Sequence, residues 1–271
     1  MGIGFACAEE VLRCGGMVVL AARERTQLAD ARDRLRQLPG ARVHAVPTDV
    51  TVEADVARLF DAAKDLGGLH GVVHAAGVYG PIGPVVGVAP DQWFDAVRIN
   101  LFGTFLVARE ACRRMMDSKI AGSIVLMSGG GAATPFPNYT AYACGKVGVV
   151  RLTETLALEV AETGIRVNCV APGFVVTRLH QQTLAAGEAL AGGAFVAKTK
   201  AELAKGGVPV SVPARTVAFL LSSLAADITG RFVAAPYDDW EKWPDHLAQI
   251  RGSDLFTLRR IVPRDRGMEW Q

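Results

Sequence analysis

Short apolar runs alternate with helical patterns along most of the chain. The runs are "MVVLAA" (17–22), "RVHAVP" (42–47), "HGVVHAAG" (70–77), "GSIVLMS" (122–128) and "IRVNCVAPG" (165–173). They show little of the polar alternation of a half-exposed strand, so both faces of each are expected to be covered. Helical segments lie between them; across 53–66, Val56, Leu59, Phe60 and Ala63 fall at i, i+3, i+4 and i+7. Strands alternating with helices of this length build βαβ crossovers and a doubly wound parallel sheet. No internal repeat, low-complexity tract or linker divides the 271 residues, so one α/β domain is expected over 1–271.

Gly2-Ile3-Gly4 opens a helix that runs to about Arg13 and leads through a Gly-Gly break into the strand at 17–22. Glycines there let the backbone approach a pyrophosphate, whose charge favours a helix N-terminus, as in a Rossmann-type sheet. The strand then ends "LAAR", where such a fold reads the adenosine ribose. A carboxylate at that point would accept from a free 2′-hydroxyl, but this chain has Ala22 and then Arg23, with Arg25 nearby. A guanidinium binds a 2′-phosphate through charge-assisted, often bidentate hydrogen bonds. NADP(H) is therefore preferred, with NAD(H) as the second choice. The bland alternative is that Arg23 only caps a strand at the surface.

The strongest chemical pattern is "SGGGAATPFPNYTAYACGKVGVVRLTETLALEV". Tyr142 and Lys146 stand i, i+4 on a long helix and so share one face. A phenol is a poor base at neutral pH, and a neighbouring ammonium is expected to lower its pKa into a usable range. Tyr-x-x-x-Lys alone is common, and an exposed pair on an amphipathic helix is the ordinary explanation. Ser128, closing the preceding strand before a glycine-rich turn, strengthens the catalytic reading.

Taken in order, Gly2-Ile3-Gly4, Asp49-Val50, "HAAG" at 74–77, Asn100 in "RINLFGTF", Ser128, Tyr142 with Lys146, and "APGFVVT" at 171–177 resemble a classical short-chain dehydrogenase/reductase over residues 2 to about 235. The resemblance implies an oxidoreductase that interconverts a carbonyl and a secondary alcohol. Tyr142 would exchange the proton, Lys146 would bind the nicotinamide ribose and lower the tyrosine pKa, and Ser128 would hydrogen-bond the substrate oxygen. Asn100 would hold a water that links Lys146 to solvent. Asp49 and Val50 would face the adenine, Ala76 and Gly77 its ribose, and Pro172, Gly173 and Thr177 the nicotinamide end. The departures are specific. The family's first glycine and the strand before it do not precede Gly2. His74 and Ala75 replace two asparagines, and His74 is expected to be buried and hydrogen-bonded. Ser128 lies one residue further from the tyrosine than usual, with Gly129 in the serine register and flexible glycines to absorb the difference. "AAPYDDWEKW" replaces the usual ending, which sets 236–271 apart as a divergent tail.

A net charge of +2 gives no reason to expect nucleic-acid or membrane partners. Five scattered cysteines read as buried free thiols, and neither they nor the histidines have metal-ligand spacing, so no metal is expected. Without a spanning run or a signal-peptide pattern, a cytoplasmic protein is the default expectation. Residues 180–207 read as a mobile lid or a loose surface helix pair. Lys198, Lys200 and Lys205 there could attract an acidic or acyl-carrier substrate, though a solvated helix face explains them as well. The wide apolar surface of the Tyr–Lys helix points to a homodimer or homotetramer. The missing first strand is central in the resembled fold, so the chain is expected to be a shortened product with a gap in its sheet beside 17–22, its first methionine lying inside the original glycine loop. An inactive shortened form or a non-catalytic cofactor-binding relative are the competing functional readings.

Overall fold

Both strands expected first in the chain form where the apolar runs lie. β1 (Met17–Ala22) and β2 (Arg42–Pro47) pair in parallel with Met17 opposite Arg42. In this computed structural model, which describes residues 2–64 and 66–270, they make a sheet of their own. The second sheet is β3 (Gly71–His74), β4 (Ser123–Met127), β5 (Arg166–Ala171) and β6 (Phe232–Ala234), all parallel and in that order. β1 and β3 are not paired, so the expected discontinuity is present beside 17–22. Met1, placed by the sequence inside the glycine loop, lies outside the described residues.

Helices hold the two sheets together. One part of α1 (Ile3–Arg13) packs through Ala8 and Leu12 onto Leu35 and Val43 beside β1 and β2. Its other part packs through Cys7 against Val125, Val170 and Val217 of the larger sheet and its covering helix α9 (Ser211–Leu221). On the opposite face, Val56 and Phe60 of α3 (Glu53–Lys64) join the core made with α5 (Gly103–Asp117) and α6 (Thr140–Glu159). Burial follows the same division. β4 is buried at every position, as a strand covered on both faces should be, whereas β1 is only half-buried and its last two residues are exposed. The lower coverage of β1 comes from its unpaired edge, a property its own residues do not encode.

The remaining helices are α2 (Arg25–Leu35), α4 (Pro90–Val97), α7 (Arg178–Ala191), α8 (Gly193–Ala204) and α10 (Leu247–Arg251). The tail is strapped to the body rather than free. The Arg231 guanidinium donates to the carbonyls of Ile250, Ser253 and Leu255, and Phe232 N–H donates to Phe256 O along the outer edge of β6. Trp240 and Trp243 bury their rings in the core that contains α9. Among the described residues no helix is long and apolar enough to cross a membrane.

The cysteine expectation needs correction. Cys7, Cys112 and Cys169 are buried free thiols, but Cys14 and Cys144 are exposed. Cys14 stands just past the end of α1, and Cys144 sits on the outward side of α6, between the half-buried Ala143 and the buried Gly145.

Candidate active site

Helix α6 carries Tyr142 and Lys146 inward, one turn apart, at 8% and 4% exposure. Lys146 Nζ donates to Met127 O at 2.8 Å, and lies 5.6 Å from the Tyr142 ring centroid. Asn100 sits in a π-helical turn (98–102) between α4 and α5. Such a turn breaks the regular i→i−4 ladder and is common at functional sites. Its amide reads the loop after β3 twice: Oδ1 accepts from Val78 N at 3.0 Å, and Nδ2 donates to Val78 O at 2.8 Å. A Cβ on Gly77 would lie 3.0 Å from Asn100 Oδ1 and 3.3 Å from Lys146 Nζ, so only glycine leaves these two polar atoms uncrowded. Tyr142, Lys146, Asn100 and Gly77 are therefore gathered at the C-terminal ends of β3 and β4.

Ser128 is placed differently from the expectation. It is buried, its N–H continues the ladder to Val170 O, and its hydroxyl donates to the Lys146 carbonyl at 3.2 Å. Gly129 is the residue against the Tyr142 hydroxyl; a Cβ there would collide with it and approach the Tyr142 Cζ to 3.3 Å. The glycines do not swing Ser128 across, because its backbone is still held by β5.

The tyrosine pKa also runs opposite to the expectation. Burial pushes Tyr142 up to about 12, and it brings the Lys146 ammonium down to about 8. Desolvation is the leading cause in both cases, because each group is buried and its charged form is disfavoured there. His74 is buried as expected, but among the described residues its Nε2 has no hydrogen-bond partner, and burial with the nearby Lys146 charge lowers its pKa to about 3.

The far end of the site is polar and open. Gly2 has extended backbone at the start of α1, and among the described residues beyond its chain neighbours no atom lies within 4 Å of a would-be Cβ. Ile3 and Gly4 begin the helix, and a Cβ on Gly4 would come 3.2 Å from Ala75 Cβ, so α1 starts close against the loop that leads to Ala76 and Gly77. Arg23 is exposed at the end of β1. Burial would raise the pKa of Asp49, but Thr51 N–H and hydroxyl bonds, with the charges of Arg23 and Arg98, outweigh it and hold the carboxyl below its usual range. Val50 is partly buried beside it. At the other end Pro172 and Gly173 turn the chain after β5, Gly173 at φ 77°, and Thr177 caps α7 through a reciprocal contact with His180. Free N–H groups at a helix start, an arginine at the β1 end and Lys146 at the inner end fit the phosphates and ribose hydroxyls of a nicotinamide dinucleotide.

Above Tyr142 lies an aromatic cluster that sequence reading missed. Tyr79 meets the Tyr142 ring edge-on at 5.0 Å, and Phe136 stacks on Tyr139 at 4.4 Å. The segment 180–207 is a helix pair, α7 and α8, and it seats Phe195 against Phe136 and Tyr139. Individual aromatics in loops carry no periodic signal, so only their convergence marks them.

Residues 1–235 match the profile of the family described as "Enoyl-(Acyl carrier protein) reductase". A 3beta-hydroxysteroid dehydrogenase 1 of Eggerthella lenta is 35% identical over 234 residues, 84% of this chain and 86% of that protein. A glucose 1-dehydrogenase of Gluconobacter oxydans is 34% identical over 180 residues, 66% of this chain and 67% of that one. Among solved structures, NAD+-bound xylitol dehydrogenase superposes with a TM-score of 0.77 at 27% identity, covering 86% of this chain and 92% of that one. An actinorhodin polyketide ketoreductase variant with NADPH gives 0.75 at 28%, covering 86% and 90%. With the profile spanning most of its length and relatives of this similarity on either side, the chain belongs to the short-chain dehydrogenase/reductase family of oxidoreductases.

Proposed function

We propose that the protein is an NADP(H)-dependent oxidoreductase that interconverts a small-molecule carbonyl and a secondary alcohol, with Tyr142 as the proton carrier. One observation supports this above the others: Tyr142 and Lys146 are buried together beside Asn100 and Gly77 at the sheet's C-terminal edge. The bound dinucleotide supplies the hydride. Tyr142, with its pKa near 12, is protonated at neutral pH and donates to the carbonyl oxygen. Lys146 holds the nicotinamide ribose and, as a cation beside the ring, eases loss of the phenolic proton. Asn100 fixes the loop after β3 and holds the water that returns a proton to Lys146. Ser128 acts by position, tying the end of β4 to the Lys146 turn of α6.

Gly2, Ile3 and Gly4 take the pyrophosphate, Asp49 and Val50 the adenine, Ala76 and Gly77 its ribose, and Pro172, Gly173 and Thr177 the nicotinamide. Arg23 is the partner of the 2′-phosphate, because Ala22 and then Arg23, not a carboxylate, occupy the reading position at the end of β1. The relatives include both an NAD+ and an NADPH binder, so the choice rests on this residue. A second reading, a cofactor-binding relative without turnover, draws on the engagement of Ser128 away from Tyr142.

Titration with NADPH and NADH, followed by turnover on a ketone panel, tests both readings. NADPH is expected to bind more tightly, and Tyr142→Phe to lower turnover on the order of a hundred- to ten-thousand-fold with cofactor affinity intact. NADPH binding with no turnover supports the second reading; near-normal turnover by the phenylalanine variant removes Tyr142 from the mechanism.

A further inference from the structure

We propose that Arg98 is a second arginine for the 2′-phosphate, so that the group is held both from the end of β1, by Arg23, and from the π-helical turn. This rests on the NADP(H) reading and on Arg23 as the first partner. Three segments meet at this end of the molecule. Thr48 N–H donates to Ala22 O at 3.0 Å, which joins the end of β1 to the loop after β2 that carries Asp49 and Val50. The third segment is the π-helical turn. Gly103 N–H donates to Arg98 O, and a Cβ on Gly103 would lie 2.8 Å from Val50 Cγ2, so the turn closes directly onto that loop. Arg23 and Arg98 thus come together around one carboxylate, and the charges of both reach Asp49.

Both guanidiniums are exposed, and among the described residues neither has a hydrogen bond or an ion pair. The carboxylates of the region are engaged elsewhere. Glu24 Oε1 caps α2 by accepting from Thr26 N at 2.9 Å. Asp55 Oδ2 accepts from Asp49 N at 2.9 Å, and its Oδ1 pairs with Arg58 at 2.8 Å. Asp49 Oδ1 takes the N–H and the hydroxyl of Thr51, at 2.9 and 2.7 Å. Asp49 therefore stands near both arginines without an ion pair to either. A free guanidinium offers five N–H donors in a fork that matches phosphate oxygens. A phosphate monoester carries roughly −1.5 to −2 charges at neutral pH, more than one guanidinium neutralises, so a second cation adds to its binding. A ribose hydroxyl has no such charge to meet. Arg98 would thereby sharpen the choice of cofactor from a segment whose next residues lead to Asn100, at the catalytic end of the same turn.

The test uses the whole chain and two cofactor fragments, 2′,5′-ADP and 5′-AMP, which differ only in the 2′-phosphate, with binding read by calorimetry. The unmutated protein is expected to prefer 2′,5′-ADP. Arg98→Gln is expected to weaken 2′,5′-ADP about tenfold and to leave 5′-AMP unchanged, as loss of one charge-assisted contact would. Arg98→Lys keeps the charge but not the fork, and its affinity is expected to fall between the two. Equal weakening of both fragments puts Arg98 on the adenine or in the support of the loop, and overturns the proposal. A preference for 2′,5′-ADP that survives Arg98→Gln undiminished overturns it too. If Arg23→Gln then removes that preference, the NADP(H) reading stands without a second arginine. Should the unmutated protein bind 2′,5′-ADP no better than 5′-AMP, the NADP(H) reading itself fails and the role of Arg98 with it.

Discussion

Lys146 shows how burial and function oppose each other at one residue. Burial lowers its pKa from 10.5 to about 8, so the folded protein gives up this proton before the unfolded chain does. Between those values the unfolded chain binds more protons, and folding gains stability as pH rises through the window. The penalty of a buried ammonium is thus full below about pH 8 and gone by about pH 10.5. Lys146→Met is expected to be more stable than the unmutated protein at pH 7 and to lose that advantage by pH 10.5, measured by urea unfolding. An advantage independent of pH would show that the lysine is not desolvated. Gly129 makes a complementary case from space instead of charge. Any Cβ there collides with the Tyr142 hydroxyl, so the ring must move or the turn must shift. Because misplacement of a reacting group by about 1 Å can cost on the order of a hundredfold, Gly129→Ala is expected to lower kcat by about ten- to a hundredfold. NADPH affinity should change little, since the collision is with the proton carrier, and an unchanged kcat would sink this account.

At the scale of elements, the fold's most unusual feature is that, among the described residues, β1 pairs only with β2 and β3 only with β4. Each edge presents backbone N–H and C=O groups, and a strand placed between two parallel neighbours hydrogen-bonds to both. Helices α1 and α3 bridge the discontinuity with side chains but supply no sheet hydrogen bonds. The tail manages the other end of the sheet: Phe256 O accepts from Phe232 N at 2.8 Å, and three carbonyls converge on Arg231. That edge is covered by the chain itself.

For the whole molecule, the unsatisfied surface is the outer face of α5 and α6. Phe102 and Phe105 stack there at 6.1 Å while remaining exposed, and Met116, Val147 and Leu158 are exposed on the same two helices, Leu158 at 80%. Exposed apolar residues concentrated on adjacent helices mark an association surface more often than chance scatter does. A second copy of the chain is the proposed occupant, giving a homodimer or homotetramer. Light scattering at micromolar concentration is expected to return a multiple of 28.7 kDa, and Phe105→Glu to shift it towards the monomer. A monomeric mass for the unmutated protein would rule the surface out.

The residues alone determined the features that depend on near neighbours. The apolar runs at 17–22 and 42–47 coincide with β1 and β2, because an apolar strand announces itself within six residues, although their coverage falls short of the expectation. The shared face of Tyr142 and Lys146 follows from helical spacing. Other properties were illegible because they depend on groups distant in sequence. Whether Ser128 or Gly129 meets the Tyr142 hydroxyl depends on how long β5 holds the end of β4. The upward shift of Tyr142 comes from burial within a cluster that includes Tyr79 and Phe195, residues far from it in the chain. Exposure of Cys14 and Cys144, the unpartnered His74 nitrogen and the course of the tail around Arg231 are likewise products of assembly. Periodicity is a local property that a chain carries unfolded; desolvation and collision exist only once distant segments have met.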